Sequence, residues 1–261
     1  MSENYTLHDV SEMLIELEEA FKNKVPFSVT CLGDAEQIFL ACPEVATINK
    51  MDTYLKVSGV DFSMTWLKEE ILEMIPENDF IYTHRAENRE CDPRVGKIDW
   101  AEFFYMYPKI FEHYNITGLR LLVKLALRYG MVTNGSFFKA IEGAKVLLVG
   151  FHAPEVERLM KKKDFIEYYK EMNLDKVEIV GSIGCSEFAK VGNEVKQMFE
   201  DTKKFDYDVA LLAMGIPSNW LGPKIKREGK ISIDIGHIMT ALVGKGEVER
   251  SYINEFTYKE T

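Results

Sequence analysis

The sequence lacks the features that mark several classes of protein. No apolar run reaches the roughly 18 residues that a membrane-spanning helix needs. The opening residues, MSENYTLHDV, contain no basic segment followed by an apolar one, which a secretion signal would have. No stretch rich in glycine, serine and proline indicates a disordered segment. These absences predict a folded, cytoplasmic protein without a membrane span.

Paired cysteines and excess positive charge are also missing. The four cysteines are scattered and form no Cys-x-x-Cys pair, which argues against a structural zinc site and favours reduced, buried thiols. The formal net charge is -10, which disfavours a general nucleic-acid-binding surface. A small anionic ligand remains compatible with this charge, because one basic pocket is enough to hold it.

The chain does have a large apolar fraction, arranged in a repeating pattern. Hydrophobic residues make up 46% of the 261 residues, enough for a substantial core. From residue 145 onward, nearly continuous apolar runs alternate with helical patterns, which is typical of a parallel sheet covered on both faces. We predict an α/β fold with a Rossmann-like, doubly wound, mostly parallel sheet in one domain over residues 1–261. The predicted strands are FSVTCLG, DFIYTHR, KVLLVG, KVEIVG, YDVALLAMG and KISIDIG.

The helices predicted around this sheet come from apolar spacing and capping residues. Apolar residues at helical spacing over residues 7–21 predict an amphipathic helix with a capping box at Thr6 and Asp9. Residues 154–172 predict one helix with Pro154 in its first turn. We expect helical decorations between about Trp100 and Gly143.

Two further segments precede or open that region. Residues 87–99 are polar and rich in turn-forming residues, which predicts a surface loop. Residues 100–114 are rich in aromatic side chains and are predicted to be helical up to about Pro108. Packing of these aromatic rings and stacking on a bound acceptor are both open interpretations.

Polar clusters follow several of the predicted strands. Asp34 and Glu36 follow one strand and His84 follows another, while Asp234 and His237 lie at the end of the last strand. In open α/β sheets, ligands bind beyond the carboxyl ends of the strands. The positions of these side chains therefore predict a binding site at that edge.

The acidic pair after the first strand has two interpretations. Asp34 can cap the following helix, and Glu36 can favour the positive end of that helix. Alternatively, at a tight strand-to-helix turn, the two carboxylates can converge on Mg²⁺ or Mn²⁺, with Gly33 allowing a close approach of the backbone. The residues alone leave both interpretations open.

The segment SIDIGH also has two interpretations. An acid inside an apolar strand is costly unless it is paired, hydrogen-bonded or bound to metal, so Asp234 requires a partner. His237 follows three residues later and can brace the turn through a hydrogen bond to Asp234. In the functional interpretation, His237 instead faces the substrate or its leaving phosphate.

Taken together, CLGDAE near the N-terminus and SIDIGHIMTAL near the C-terminus resemble the GT-D-fold glycosyltransferases. That family has a Gly-Asp-x-Glu at a strand end and an apolar strand ending in Asp-x-Gly-His. The sequence departs from the family at two places: Cys31 and Leu32 replace the usual Arg-Phe, and VLLVGFHAPEVERLMKKKDF lacks the usual glycine-bearing phosphate loop. The resemblance implies transfer of a hexose from a nucleotide-diphosphate-sugar, with a UDP-sugar as the expected donor.

The resemblance also implies roles for the residues of both motifs. Asp34 and Glu36 would hold a divalent metal, Mn²⁺ or Mg²⁺, with the donor diphosphate beside it. Asp234 and His237 would line the same pocket as catalytic residues. The general base for the acceptor hydroxyl would be His237 or His84, and the sequence does not choose between them.

Other side chains are candidates for binding the donor. Arg85 and Lys190 can add positive charge near a phosphate. Asn134 and Ser136 precede a predicted helix and either present polar groups to the nucleotide or sugar or form an ordinary helix cap. The lysine run at residues 161–163 either supplements this charge or forms a solvated helix face.

Two competing functions remain. A nicotinamide- or methyl-transferring Rossmann enzyme is disfavoured because no strand is followed by Gly-x-Gly-x-x-Gly. A non-catalytic or differently specialised nucleotide-binding module remains the alternative. For the glycosyltransferase, we expect a glycan or protein-linked sugar as acceptor and no nucleic-acid partner. Homo-oligomerisation, the donor sugar and the stereochemical outcome are left open.

Overall fold

The computed structural model describes residues 5–41, 55, 58–61, 63–83, 106–123 and 135–244. Within them, eight strands form one sheet in which every pairing is parallel, in the order β1-β4-β3-β2-β8-β7-β5-β6. The predicted fold class, a Rossmann-like α/β sheet, is confirmed. The strands are β1 Tyr5–His8, β2 Phe27–Leu32, β3 Phe80–Thr83, β4 Leu119–Val123, β5 Lys145–Gly150, β6 Glu178–Ile183, β7 Val209–Ala213 and β8 Ile231–Asp234.

The helices lie on both sides of this sheet. They are α1 Val10–Asn23, α2 Asp34–Ala41, α3 Thr65–Met74, α4 Met106–His113, α5 Ser136–Ala140, α6 Ala153–Leu159, α7 Lys163–Tyr168, α8 Val191–Thr202, α9 Ser218–Arg227 and α10 His237–Leu242. Buried side chains of α1, α5, α6, α7 and α10 pack together on one side of the sheet, which we call the α1 face. Those of α2, α3, α4, α8 and α9 pack on the other side, the α9 face.

The central strands owe their composition to this double cover. All residues of β2 and β8 are buried, because helices exclude water from both sides of the sheet. Alternate residues of a strand point to opposite faces, so Val29 and Ile233 join the core of the α1 face. The alternate residues of the two strands, including Thr30 and Asp234, point towards the α9 face.

The N-terminal segment differs from the prediction. Residues Tyr5–His8 form β1, which pairs in parallel with β4, and α1 begins only at Val10. The predicted capping box is wrong, because Thr6 lies in the strand and Asp9 alone caps the helix by accepting the backbone N–H of Ser11 at 3.2 Å. The pairing of β1 joins segments more than a hundred residues apart, which a local pattern does not reveal.

The region between residues 100 and 143 also differs from the prediction. It contains β4 between β1 and β3 in the sheet, and not only helices. Helix α4 continues past Pro108 to His113. Proline is tolerated there because it is the third residue of that helix, where the backbone N–H is not used. The predicted loop at residues 87–99 lies outside the described residues.

The helix predicted over residues 154–172 is interrupted. Helix α6 ends at Leu159 and α7 begins at Lys163, with Lys162 in an extended conformation between them. The spacing of the apolar residues explains the break. In one straight helix, the lysines that follow Leu159 would lie on its apolar face. With the break, Leu159 and Phe165 are both buried. Pro154 lies in the first turn of α6, as predicted.

Candidate active site

The candidate site lies where the neighbouring central strands β2 and β8 end. Helix α2 leaves β2 towards the α9 face, whereas α10 leaves β8 towards the α1 face. Helices that diverge from adjacent parallel strands open a crevice between them, and ligands of α/β sheets bind at such a position. The acidic pair follows β2, and Asp234 and His237 follow or end β8. The fold therefore brings the acidic pair after β2 and the Asp234–His237 motif at β8 to the same edge of the sheet.

Two hydrogen bonds between Gly33 and side chains hold the turn from β2 into α2. Its backbone N–H donates to Oε2 of Glu36 at 2.8 Å, and its carbonyl oxygen accepts the hydroxyl of Tyr107. Glu36 is the third residue of α2 and reaches back to the residue before the helix, which is half of a capping box. Glu36 is only 8% exposed. Glu36 therefore contributes to the cap of α2, a role that the sequence had suggested for Asp34, and its carboxylate is buried at the crevice.

The turn from β8 into α10 depends on a glycine conformation. Oδ1 of Asp234 accepts the backbone N–H of Gly236 at 2.9 Å, and this N–H also lies 3.2 Å from the carbonyl oxygen of Leu212 in β7. Gly236 has φ 46° and ψ -126°, a region open almost only to glycine. His237, the first residue of α10, is exposed. The Asp-x-Gly-His segment therefore fixes a buried carboxylate and presents an accessible imidazole.

Helix α9 packs closely on β2 and β8 because of Gly222. A Cβ atom there would lie 3.2 Å from Cγ2 of Thr30 and 3.4 Å from Oγ of Ser232. The hydroxyl of Ser232 donates to the carbonyl oxygen of Gly222 at 2.9 Å and binds the helix to β8. Because α9 runs back across the sheet after β7, its first turn, with Asn219, lies nearer the carboxyl edge, on the face to which Asp234 points.

Several buried polar atoms on the α9 face have no hydrogen-bond partner among the described residues. They are Oγ1 of Thr30, both amide atoms of Gln37 and Oδ1 of Asn219, and all three residues are at most 1% exposed. Thr30 and Gln37 are not among the predicted site residues. Gln37 lies between Glu36 and the apolar residues IFLA, and its place directly after the acidic pair is the sequence signal that could have identified it.

Four predicted site residues fall wholly or partly outside what the structure describes. Asp34 begins α2, so its backbone is at the crevice, but its side chain is not described. His84, Arg85 and Asn134 lie outside the described residues. Their predicted roles in metal binding, base catalysis and donor binding remain predictions.

Two predicted donor-binding residues lie away from the crevice. Ser136 begins α5, on the α1 face, in a groove with Leu14 and Phe21 of α1. Lys190 precedes α8, after the edge strand β6, and its ammonium group lies 2.8 Å from the carboxylate of Glu187. Strands β7 and β5 separate β6 from β8. The structure does not bring either residue together with Glu36 and Asp234.

His152, which follows β5, and Ser182, near the end of β6, both contact carboxylates of α6. Nδ1 of His152 lies 3.8 Å from Glu155. The hydroxyl of Ser182 donates to Glu157 at 2.6 Å and, together with Lys161, lowers the pKa of Glu157. These contacts brace the turns of the α1 face.

The donor atoms at the crevice fit a hard divalent cation. Glu36 and Asp234 supply carboxylate oxygens, and Asn219 supplies a buried amide oxygen without a partner. Mg²⁺ and Mn²⁺ prefer such oxygen ligands, and burial makes an uncompensated carboxylate costly. No group of three or more histidine, cysteine or acidic side chains is preassembled as a metal site in the described part of the chain.

Comparison with known proteins agrees with this architecture. Residues 8–242 match the family model of the GT-D fold-like domain. A solved structure of domain of unknown function 1792 has a TM-score of 0.58 at 12% identity, over 99% of this chain and 92% of that chain. A structure described as a new glycosyltransferase from Streptococcus sanguinis has a TM-score of 0.56 at 12% identity, over 93% and 84% of the two chains.

A third structure, titled as the same domain with a distinct glycosyltransferase fold, has a TM-score of 0.53 at 12% identity, over 99% of this chain and 92% of that chain. No curated protein matches the sequence. No helix in the described ranges is both long and apolar enough to cross a membrane.

The sheet topology and the site at its switch point define a Rossmann-like protein with a glycosyltransferase fold of the GT-D type. The match over residues 8–242 is decisive for the family: the chain belongs to the GT-D fold-like domains. The predicted family is confirmed.

Proposed function

We propose that this protein is a metal-dependent glycosyltransferase that moves a sugar from a nucleotide-diphosphate-sugar, with a UDP-sugar as the expected donor, to an acceptor hydroxyl. A glycan or protein-linked sugar is the proposed acceptor, and a cytoplasmic location remains part of the proposal. The observation that supports it is the burial of two carboxylates, Glu36 and Asp234, at the carboxyl ends of adjacent strands.

The metal-binding role falls to the start of α2. Asp34 and Glu36 would hold Mn²⁺ or Mg²⁺, which would neutralise the charge that develops on the leaving diphosphate. Glu36 is pre-positioned for this by the N–H of Gly33, and Tyr107 holds the other side of Gly33. The turn therefore needs no rearrangement of its backbone to present a carboxylate.

The other carboxylate and the imidazole act from β8. The N–H of Gly236 fixes the Asp234 carboxylate towards the α9 face. The exposed imidazole of His237 would donate a hydrogen bond to the departing phosphate or take the proton of the acceptor hydroxyl. In this scheme Asp234 is a catalytic residue that lines the metal pocket and offers it a carboxylate oxygen.

A thermal-shift experiment tests the proposal. The melting temperature is measured with UDP and a panel of UDP-sugars, with and without Mn²⁺, since ligands that bind the native state raise it. Wild-type protein should respond to the combination, and Glu36→Gln and Asp234→Asn should lose the response. Glu157→Gln removes a carboxylate that binds Ser182 on the α1 face, and should retain it.

Product analysis separates the enzyme from the alternative function. Release of UDP from a UDP-sugar in the presence of Mn²⁺, abolished in Glu36→Gln, supports transfer or its hydrolytic side reaction. Metal-dependent binding without any turnover would instead indicate a nucleotide-binding module. A full response in Glu36→Gln would contradict the proposed metal site.

A further inference from the structure

Tyr107 connects α4 to the turn that carries the acidic pair. It is the second residue of α4 and is only 4% exposed, and its hydroxyl donates to the carbonyl oxygen of Gly33, 74 residues earlier in the chain. Its ring stacks on that of Phe111, one turn further along the helix, with the ring centroids 5.7 Å apart and an interplanar angle of 20°. Both rings belong to the core of the α9 face. The hydroxyl is therefore presented to Gly33 from an anchored ring.

Gly33 carries this contact into the site through both of its peptide groups. Its carbonyl oxygen belongs to the peptide group that joins it to Asp34, so the hydroxyl of Tyr107 restrains the backbone where α2 begins. Its N–H belongs to the preceding peptide group and donates to Oε2 of Glu36 at 2.8 Å. Glycine has more backbone freedom than other residues, so these two hydrogen bonds restrain a link that would otherwise move easily. The position of the Glu36 carboxylate thus depends on how firmly Gly33 is held.

The Gly33 carbonyl does not need the tyrosine hydroxyl as its hydrogen-bond partner. The backbone N–H of Gln37 donates to the same oxygen at 3.2 Å, so this carbonyl would keep a partner without Tyr107. A phenylalanine would supply the same ring for the stack on Phe111 and would bring no buried hydroxyl that requires a partner. Packing and hydrogen-bond satisfaction therefore do not explain the tyrosine, whereas a second, directional bond to the turn does.

We propose that Tyr107 is a positioning residue for the metal site, which holds Gly33 so that the Glu36 carboxylate keeps the orientation in which it binds a divalent cation. The inference rests on the proposed function, because it requires the cation at Asp34 and Glu36. Hydrogen bonds orient the carboxylates that bind metals, and loss of such a contact typically weakens metal binding by about 10- to 100-fold. Tyr107 acts one hydrogen bond further out, through Gly33, so we expect a loss at the lower end of that range.

Mn²⁺ titration of the whole chain, followed by the loss of the free-ion signal in electron paramagnetic resonance, tests the proposal without relying on activity. Tyr107→Phe keeps the ring and removes only the hydroxyl, and should weaken Mn²⁺ binding by about 10-fold. The matched control is Tyr207→Phe, because Tyr207 is 3% exposed and its hydroxyl is hydrogen-bonded to Thr202, but it precedes β7 at the opposite edge of the sheet. The control should bind Mn²⁺ like the wild type. Melting temperatures of the metal-free proteins measure the structural effect of each lost hydroxyl separately.

The outcomes separate this inference from the proposed function. If wild-type protein binds Mn²⁺ and folded Tyr107→Phe binds it equally well, the role of Tyr107 is merely structural and the metal site stands. Equal weakening in Tyr107→Phe and Tyr207→Phe would also overturn the positioning role, because the loss would then reflect a general loosening of the fold. If the wild type binds no Mn²⁺, the metal site and the inference are both overturned. Tyr107→Met provides a second variant without the hydroxyl if Tyr107→Phe does not fold, and the same equality of binding would refute the role.

Discussion

Glu36 accepts the backbone N–H of Gly33 through Oε2 at 2.8 Å, so a single carboxylate completes the start of α2 and faces the crevice. The capping and metal-binding interpretations of this acid are therefore compatible. Substitutions that separate the acceptor from the charge can distinguish the two contributions.

Replacing Glu36 should affect stability and metal binding by different amounts. Glu36→Ala removes the cap and should lower the free energy of unfolding by about 1 kcal/mol. Glu36→Gln retains an oxygen acceptor for Gly33 and should lose less than half of that. Both should lose the response to Mn²⁺, because each removes the charge. Urea denaturation and Mn²⁺ titration of the two variants check this, and equal stability losses would argue against the cap.

Gly236 should tolerate alanine poorly. Its φ of 46° and ψ of -126° lie outside the regions that other residues adopt, so Gly236→Ala should cost about 1–3 kcal/mol of unfolding free energy. Gly229→Ala is the control, because Gly229 has φ 82° and a Cβ there would meet nothing within 4 Å. Gly229→Ala should lower the free energy of unfolding by about 1 kcal/mol. Equal losses in the two variants, measured by chemical denaturation, would show that the turn at Gly236 can relax.

Gly222→Ala tests how closely α9 lies on the sheet. Alanine gains about 1 kcal/mol of helix propensity over glycine. Its Cβ would lie 3.2 Å from Thr30 Cγ2, 3.3 Å from Ser28 Oγ and 3.4 Å from Ser232 Oγ. These atoms belong to two central strands that cannot retreat together, so overpacking of about 1–3 kcal/mol should outweigh the gain. A net loss in the free energy of unfolding is expected, and a more stable protein would contradict the prediction.

The ion pair between α1 and β4 should make stability depend on pH in the acid range. Nη1 and Nη2 of Arg120 donate to the carboxylate of Glu16 at 2.7 and 2.5 Å. This hydrogen bonding lowers the pKa of Glu16 below its ordinary value of 4.5. A lowered pKa in the folded state stabilises the protein above the ordinary pKa, and the contribution is lost as pH falls through the folded value. Partial exposure limits it to about 1 kcal/mol.

The difference between the urea midpoints of the wild type and Arg120→Met should therefore be larger at pH 7 than at pH 3. Arg120→Lys retains the charge without the paired geometry and should lie between them. A difference that is the same at both pH values would assign the effect of Arg120 to its packing over Phe80, where the guanidinium carbon lies 3.9 Å from the ring centroid.

Much of the sheet was predictable because its signals are local. Runs such as KVLLVG and ALLAMG can only be satisfied when both faces are covered, and they became β5 and β7. The edge strand β1 gave no such signal, because YTLH has one exposed leucine and pairs only with β4. Leu7 lies in a strand because β1 pairs with β4, although its spacing predicted a helix.

The candidate site divides in the same way. The acid after β2 and the acid ending β8 were predictable, since parallel strands bring their carboxyl ends to one edge. The hydrogen bond from Tyr107 to Gly33 was not, because it joins residues from distant parts of the chain. The positions of Ser136 on the α1 face and of Lys190 beyond β6 likewise depend on strand order, which no single segment specifies.

The amino-acid sequence by itself determined the alternation of strands and helices and the pairing of its two acidic motifs, because apolar spacing and turn residues act over a few positions. Only the tertiary structure decided which strands are neighbours, that α2 and α10 diverge from β2 and β8, and that Gln37 is buried without a hydrogen-bond partner among the described residues. These features depend on contacts between distant segments, whose energies arise only when the whole sheet is assembled.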